Sequence, residues 1–556
     1  MMQPRCRHWG KFSLYIIIIC AIFGLVYADN DSTPYDVKKL SRVALIIDER
    51  YAEKLEPEKI VESGINGMVT SLDPYCRYLT DNDFNEFMEN TFGQFDGIGI
   101  EVDIRQNCLT VISVLDGTPA YRAGLKPGDK IISIDGKLTS EISRDNAAEL
   151  MRGKAGTEVN ITTRRYGASE LMNYTLVRET VETESIPFYS ILSDGIGYIR
   201  LTRFTETSYY EMIEALTSLR NMNAKGIILD LRSNSGGLLI EAVKIVGLFL
   251  ESGKLIVETR GRGGNLTSHY SSNDGLSCTD LPLAVLIDEG TASAAEIVAG
   301  AIQDWDRGVL IGSRTYGKGL VQRILNLDEK SALKITTAKY YIPSGRCIQK
   351  ADHAGRLDVS SGKDGFPPSD SDNGFYHTAL GRRVLGGGGI KPDIIVQHIT
   401  ESEIIKALKR QRYFFDFAVG YMVENHTRID SNFVATSQII RQFQIFLKGE
   451  GFNYQPEFEL RYDSLLAYLP QGTISDRVRK LLDELGDSLD YLKFAGLDKE
   501  NEPVKWILAE EILSIEFGPK ARYGVVWVNH HPEILKAREV LSSMETYRHS
   551  FLASIE

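Results

Sequence analysis

Three stretches of this chain hold residue types that could carry out acyl chemistry. "DEGTASAAEIVAGA" (Asp288 to Ala301) places Ser293 among alanines, where an apolar helical pattern begins. "RTYGKGLVQ" (Arg314 to Gln322) places Lys318 between Gly317 and Gly319, with Gln322 one helical or two strand repeats further on. "DLRSNSGG" (Asp230 to Gly237) follows the apolar run "GIIL" and ends in paired glycines, Gly236 and Gly237. A serine hydroxyl becomes a nucleophile when a neighbouring base takes its proton. At a helix start it also meets free N–H groups and the positive end of the helix dipole, which can hold an oxyanion. A lysine in a loop between apolar strands is expected to be partly buried. Burial lowers its pKa from about 10.4 and leaves a neutral amine able to act as the base. Glycines after a strand permit the close approach and unusual dihedrals that an oxyanion-hole amide needs. Taken singly, each stretch has a plainer meaning: an N-cap serine, a surface lysine loop and a strand-to-helix turn.

These residues need a scaffold, and the sequence supplies an alternating one. "GIGYIRLTRF" reads as a strand, "SYYEMIEALTSLRNM" as a helix, and "AKGIILDLR" as a buried strand. "GGLLIEAVKIVGLFLESG" reads as a helix, while "KLIVETRG" and "LPLAVLIDEG" read as strands. Alternation with continuously apolar strands indicates an α/β core. Upstream, "VKKLSRVALIIDERYAE" and "EPEKIVESGINGMVTSL" have amphipathic helical spacing, and "LDPYCRYLT" turns at Asp73-Pro74. Next come short β-type runs, "FDGIGIEVD", "CLTVISVL", "KIISIDGK" and "EVNITTRRY", with the helical pieces "TPAYRAGL" and "RDNAAELMRG". That is a compact α+β module. Residues 351–389 are rich in Gly, Ser, Asp and Pro and read as a loop insertion. From about residue 401 the pattern is helical to the end.

In the α+β module, "DGIGI" could form a nest of successive N–H groups for a peptide carboxylate, although GxG alone more often marks a hairpin turn. Gly97, Ile98, Gly99 and Ile100 are the candidate residues, with a peptide strand adding beside the run that follows.

Together "GTASAAEI", "YGKGLVQ" and "DLRSNSGG" resemble the carboxyl-terminal processing peptidases, or tail-specific proteases, which are serine peptidases with a Ser/Lys dyad assisted by Gln. The resemblance covers roughly residues 35–395. It includes "INGMVTSLDPYCRYLT", the PDZ-like "FDGIGIEV" and "GTPAYRAGLKPGDKIISIDGK", and "AKYYIPSGRCIQ" and "GGGGIKPDI" further on. It implies Ser293 as nucleophile, Lys318 as general base and Gln322 as the group orienting the amine. It places the oxyanion amides at Ala294 and at one of the glycines, Gly237 or Gly236. It implies a ClpP/crotonase-like α/β peptidase core with an inserted α+β PDZ domain and a C-terminal helical region. Ala295 stands where the family often has a second serine, and "SNSGG" replaces the commoner Asn-Asn-Pro-Gly-Gly.

The remaining sequence sets limits. Arg5, Arg7 and Lys11 precede the apolar Phe12 to Ala28, and an acidic polar stretch follows. This pattern reads as an export signal with cleavage after Ala28, or as an uncleaved membrane anchor. The net charge of −12 argues against nucleic acid as a partner. Cys76, Cys108, Cys278 and Cys347 lie far apart without metal spacing, so free thiols are expected, though a disulfide is allowed in an oxidising compartment. No metal or cofactor is implied. Glu296 is expected to pair with the helix dipole and Asp230 to cap its turn. His530 and His531 have no partner pattern, and Trp305 and Trp527 read as packing residues.

The expected organisation has five parts. They are residues 1–28 for export, 29–92 an N-terminal helical segment, 93–180 a PDZ domain, 181–395 the peptidase core and 396–556 a helical domain that could close a cap or build a homodimer. The function expected is that of an endopeptidase of the periplasm or cell envelope acting on proteins or peptides with free C-termini. The alternative is a non-catalytic PDZ adaptor. Small-molecule ester hydrolysis lacks its G-x-S-x-G elbow.

Overall fold

The computed structural model describes residues 34–105, 108–273, 278–328, 331–350, 374–396, 401–425, 429–469, 475–499 and 501–552. The export segment and residues 351–373 of the insertion lie outside the described residues. The described residues divide into two compact units: 34–80 with Ile324–Ile335, and the remainder.

In the smaller unit, α1 (Pro34–Arg50) and α2 (Pro57–Thr70) realise the two amphipathic patterns. Pro57 opens α2, where its missing N–H costs nothing. The Asp73 carboxylate accepts the N–H groups of Tyr75 and Cys76 at 2.8 and 2.9 Å, which closes the Asp-Pro turn. The chain then enters β1 (Arg77–Leu79), antiparallel to Ala332–Lys334.

The larger unit begins with α3 (Asp81–Phe92) and β2 (Gln94–Gly97), then β3 (Ile100–Arg105) and β4 (Cys108–Val114). Next come α4 (Pro119–Ala123), β5 (Lys130–Ile134), β6 (Lys137–Leu138), α5 (Arg144–Met151), β7 (Glu158–Arg164), β8 (Met172–Val177) and β9 (Glu179–Glu182). "FDGIGIEVD" is therefore not one strand. Gly99, at φ +80°, breaks it, and β2 pairs with β9 while β3 joins the sheet β3-β4-β5-β7-β8. In that order β3 is an edge strand, and α5 lies beside it across a groove. Val111, Ile131, Ile134, Val159 and Ile161 fill the core of this module.

The third part is built on β10 (Phe188–Ile191), β11 (Gly197–Arg200), α6 (Ser208–Asn221), β12 (Ile227–Asp230), α7 (Leu239–Gly247), β13 (Leu255–Arg260) and β14 (Leu266–Ser271). It continues through β15 (Leu283–Ile287), α8 (Ala294–Asp304), β16 (Val309–Gly312), β17 (Leu320–Asn326) and β18 (Ala332–Tyr341). The predicted helix "GGLLIEAVKIVGLFLESG" ends early, at Gly247. The insertion is not all loop, because β19 (Phe375–His377) and β20 (Arg383–Leu385) form a ribbon ahead of β21 (Ile394–Ile395). The main sheet runs β10-β11-β12-β15-β16-β21, parallel from β11 onward.

The strands of this sheet are apolar along both faces, so both faces need cover. One face, with Ile199, Leu229, Val285 and Leu310, packs with residues of α6, α7 and α8. The other, with Tyr198, Ile228, Ala284 and Leu286, packs with Val528, Ile534, Ala537, Val540, Leu541 and Tyr547. The C-terminal helices are α9 (Glu403–Arg410), α10 (Tyr413–Asn425), α11 (Ser437–Gly449), α12 (Glu457–Tyr468), α13 (Asp476–Lys499), α14 (Asn501–Phe517), α15 (Val528–His530), α16 (Pro532–Leu541) and α17 (Met544–Leu552). They have two roles. Ile404, Leu408, Phe414, Ile440, Phe443 and Leu508 form a core of their own, whereas α15 to α17 complete the core of the main sheet. No described helix is long and apolar enough to cross a membrane. All four described cysteines are free thiols.

Burial on α14, with Glu510 beside it, pushes the Glu511 carboxyl up to about 7 against the pull of Arg522, Arg412 and Lys409. The folded state thus holds this proton more tightly than the unfolded chain. Its stabilising effect is complete below the ordinary glutamate pKa and is lost as pH rises through about 7. Glu511→Gln should therefore raise stability at pH 8 by on the order of 2 kcal/mol, with little gain at pH 4, a difference that thermal midpoints at the two pH values will show.

Candidate active site

Ser293 sits at the N-cap of α8 with φ 56° and ψ −117°. A non-glycine residue in this region stores on the order of 1–3 kcal/mol of strain and persists only where its surroundings fix it. The fixing group is Glu296, which has no exposed surface. Its Oε2 accepts the Ser293 N–H and the Lys318 N–H, each at 2.9 Å. Its Oε1 accepts the Thr315 hydroxyl at 2.6 Å and the Gly317 N–H at 2.8 Å. The nucleophile candidate and the lysine candidate therefore share one oxygen atom through their backbones. Burial raises the Glu296 pKa, while the four donated hydrogen bonds act to lower it.

Tyr340 supplies a second link. Its buried hydroxyl lies within hydrogen-bond reach of the Lys318 carbonyl and, at 3.1 Å, of the Ser293 carbonyl. The lysine loop is also held from behind. Thr315 N–H donates to Ile390 O, Lys350 N–H to Gly317 O, and Gly319 N–H to the Gln349 side chain at 2.8 Å. Gly317, at φ +89°, faces the backbone of Gly388 and Gly389. "GRCIQ" and "GGGGI" thus form the wall behind the lysine. Lys318 is half-buried, and its Nζ donates to Gln322 Oε1 at 3.0 Å.

The glycine pair lies against the serine. A Cβ on Gly236, whose φ is +102°, would come within 2.9 Å of both Ala292 O and Ser293 Cβ. The Gly236 N–H donates to Asn234 Oδ1 at 2.9 Å, whereas the Gly237 N–H has no acceptor among the described residues. Gly237 sits at φ +137° against the Phe204 backbone, and Phe204 N–H and O bond Gly236 O and Leu238 N–H on either side of it. The Ala294 N–H, first in α8, likewise has no acceptor among the described residues. Of the two glycines that the sequence leaves open, Gly237 has the available donor. The loop carrying them is stitched to the serine loop by Ser233 N–H to Asp288 Oδ1 at 2.7 Å and Ala292 N–H to Asn234 O at 2.9 Å.

The four candidate carboxylate-binding residues come together at one end of the groove between β3 and α5. Ile98, Ile100, Val102, Ala148 and Met151 line this groove, which encloses about 830 Å³. The N–H groups of Ile98 and Gly99 have no acceptor among the described residues. A Cβ at Gly99 would strike Thr118 at 2.3 Å, which accounts for glycine there.

Sequence reasoning named Ser293, Lys318, Gln322 and the glycines, and the structure links the first three by hydrogen bonds and sets Gly236 against Ser293. Sequence reasoning undervalued Glu296, which does more than pair with a dipole, and it passed over Tyr340, Thr315 and Asn234. Tyr340 lies inside the quoted "AKYYIPSGRCIQ", so a signal was present without a role attached. Asp230 does cap its turn, accepting the Arg232 N–H at 3.0 Å, and it is also the centre of a buried ionic cluster.

Comparison with known proteins identifies the parts of the chain. Residues 195–355 match Peptidase family S41, residues 110–165 a PDZ domain, residues 404–541 the probable PDZ-protease C-terminal helical domain, and residues 26–83 the activating protease CtpB N-terminal domain. The chain is 39% identical over 331 residues to a carboxy-terminal-processing protease of Bartonella bacilliformis, covering 58% of this chain and 75% of that one. It is 35% identical over 343 residues to the carboxy-terminal processing protease CtpA of Bacillus subtilis, covering 61% and 72%. A solved photosystem II D1 C-terminal processing protease is 27% identical with a TM-score of 0.34, covering 55% of this chain and 88% of that one.

Glu296→Gln places an amide NH₂ where two backbone N–H groups now donate, leaving part of the cluster unsatisfied. It should slow the labelling of Ser293 by a fluorophosphonate by at least tenfold and lower stability by about 1–3 kcal/mol, readable from labelling kinetics and thermal midpoints.

Proposed function

Because the chain belongs to the carboxy-terminal-processing proteases, the serine-type endopeptidases of family S41 with a PDZ domain, we propose that it cleaves proteins selected by their C-termini through a Ser293/Lys318 acyl-enzyme mechanism. The observation that carries this reading is the single Glu296 oxygen shared by the Ser293 and Lys318 N–H groups. The neutral Lys318 amine takes the Ser293 hydroxyl proton as Oγ attacks the scissile carbonyl. Gln322 accepts a hydrogen from Nζ and so aims the amine's lone pair away from itself. The oxyanion is held by the N–H groups of Gly237 and Ala294, with the α8 dipole behind them. Lys318 returns the proton to the leaving amine, then takes one from the water that hydrolyses the acyl-enzyme and passes it to the departing Ser293 Oγ.

Substrate selection belongs to the PDZ groove. A C-terminal carboxylate sits on the N–H groups of the Gly97-Ile98-Gly99-Ile100 loop. An apolar terminal side chain lies against Ile98, Ile100, Ala148 and Met151, and the extended peptide adds to the free edge of β3. The proposal also includes a ClpP/crotonase-like core and the five-part organisation with bounds at 28, 92, 180 and 395. It further includes export to the periplasm or cell envelope, as a free or N-terminally anchored protein, and pairing of copies through the helical regions. The export pattern of residues 1–28 supports that location.

Ser293→Ala should abolish cleavage of an unstructured protein substrate and leave the thermal midpoint unchanged; retained cleavage sinks the assignment. Lys318→Arg should lower kcat by on the order of 10³ or more, because a guanidinium cannot act as a base. Converting a substrate peptide's C-terminus to an amide should weaken its binding to the Ser293→Ala protein by about tenfold, as read by fluorescence polarisation.

A further inference from the structure

The loop that presents Gly237 begins in a buried ionic cluster that the peptidase core does not complete. Asp230, at the end of β12, is fully buried. It accepts from Arg200 Nη1 at 3.0 Å, from Arg232 Nη2 at 2.7 Å and from the Tyr198 hydroxyl at 2.7 Å. Burial acts to raise its pKa, but the two guanidiniums outweigh that and hold it well below the carboxylate range. The core thus places two cations, Arg200 and Arg232, on one anion. The second anion comes from the last part of the chain. Glu533, 3% exposed in the first turn of α16, accepts from Arg232 Nη1 at 2.9 Å. His531 Nδ1 lies 3.0 Å from the same nitrogen; a guanidinium can only donate, so the ring accepts as the neutral tautomer. The Trp527 ring lies 5.3 and 5.5 Å from the Arg200 and Arg232 guanidinium carbons.

Without this segment the buried cations Arg200 and Arg232 would share the single anion Asp230, and an excess buried charge is driven to move toward water. Arg232 directly precedes Ser233, which turns at φ 53° and bonds Asp288, and then Asn234, which bonds both Ala292 and Gly236. A shift of Arg232 would therefore pass along the strained loop to the Gly237 N–H.

We infer that the C-terminal segment is a positioning device for the oxyanion loop, with Glu533 as its principal positioning residue and His531 and Trp527 as its supports. The inference rests on the Ser293/Lys318 reading above and extends it, making turnover depend on docking of a part of the chain that carries no reacting group.

Glu533→Gln keeps the shape and removes the charge. The experiment compares it with Arg538→Ala, which breaks an ion pair of the same helix to Asp194 (2.6 Å) away from the cluster. In the full chain, Glu533→Gln should lower kcat and the rate of fluorophosphonate labelling together by about tenfold or more, with KM within about twofold. Amide exchange across Ser233 to Leu238 should quicken, while Arg538→Ala leaves all of these as in the wild type. If Glu533→Gln does not fold, His531→Phe keeps the ring beside Trp527 and removes the acceptor, and it should shift the same readouts in the same direction. Equal kcat, labelling and exchange in the cluster variant and Arg538→Ala, in a protein that Ser293→Ala inactivates, overturns the inference. A wild type that Ser293→Ala does not inactivate fails the earlier reading instead, and the exchange measurement still decides this one.

Discussion

A carboxylate with no solvent contact holds this site together. Burying Glu296 costs more than most single interactions return, and the structure offsets that cost with four donors and the N-terminal end of α8. The donors come from two separate segments, the start of α8 and the loop from Thr315 to Lys318. Neither segment has its observed backbone path without the other, because each leaves N–H groups that only this carboxylate satisfies. The strained Ser293 conformation and the glycine-flanked lysine are thus parts of one rigid object. The same carboxylate fixes where the serine and lysine chains meet and leaves the Ala294 N–H, between Ser293 and the rest of α8, with no acceptor among the described residues.

The main sheet imposes the second constraint. "LAVLI" in β15 is fully buried because both faces of the sheet are covered, and the core's own helices α6, α7 and α8 pack on one face only. The chain must supply the other cover after the whole helical region has been made. Tyr547 shows how tightly it does so: its hydroxyl accepts the Leu283 N–H at 3.2 Å and lies 3.1 Å from Arg307 O, fixing α17 to the sheet. The last helices are therefore structural parts of the catalytic core, although a linear reading assigns them to a separate domain.

The legible and illegible parts of the sequence divide along contact range. Ser293, Lys318, Gln322 and the glycine pair were legible because each depends on a local pattern: a serine at a helix start, a lysine between glycines, glycines after a strand. The two helices before β1 and the Asp73 turn were legible for the same reason. That Gly236 rather than Gly237 has its N–H taken by the Asn234 side chain was not, because adjacent glycines look alike in a sequence. The break in "FDGIGIEVD" was missed because β-type residues flank Gly99 on both sides. Only the pairing of β2 with β9, some eighty residues on, shows that two sheets are involved. His531 had no partner pattern because its partner, Arg232, lies 299 positions away.

The helical region also fixes the PDZ module. On β3, Ile100 and Val102 line the groove beside α5, and the period of two places Asp103 and Arg105 on the opposite face. Arg105 bonds the Asp416 carboxylate and the Gln411 carbonyl, each at 2.5 Å, and Asp103 pairs with Arg412 at 3.4 Å. Gly128 admits Val419 where a Cβ would sit 2.5 Å from a methyl. This edge strand therefore has its other face pinned to α10 and the turn before it. One end of the helical region holds the groove strand and the other end holds Arg232, which begins the loop to Gly236 and Gly237. The β3 groove and the Ser293 cluster thus share a frame although they lie on different sheets. The roughly 150 residues after the α/β core thus cover the second face of its sheet and tie down both β3 and Arg232.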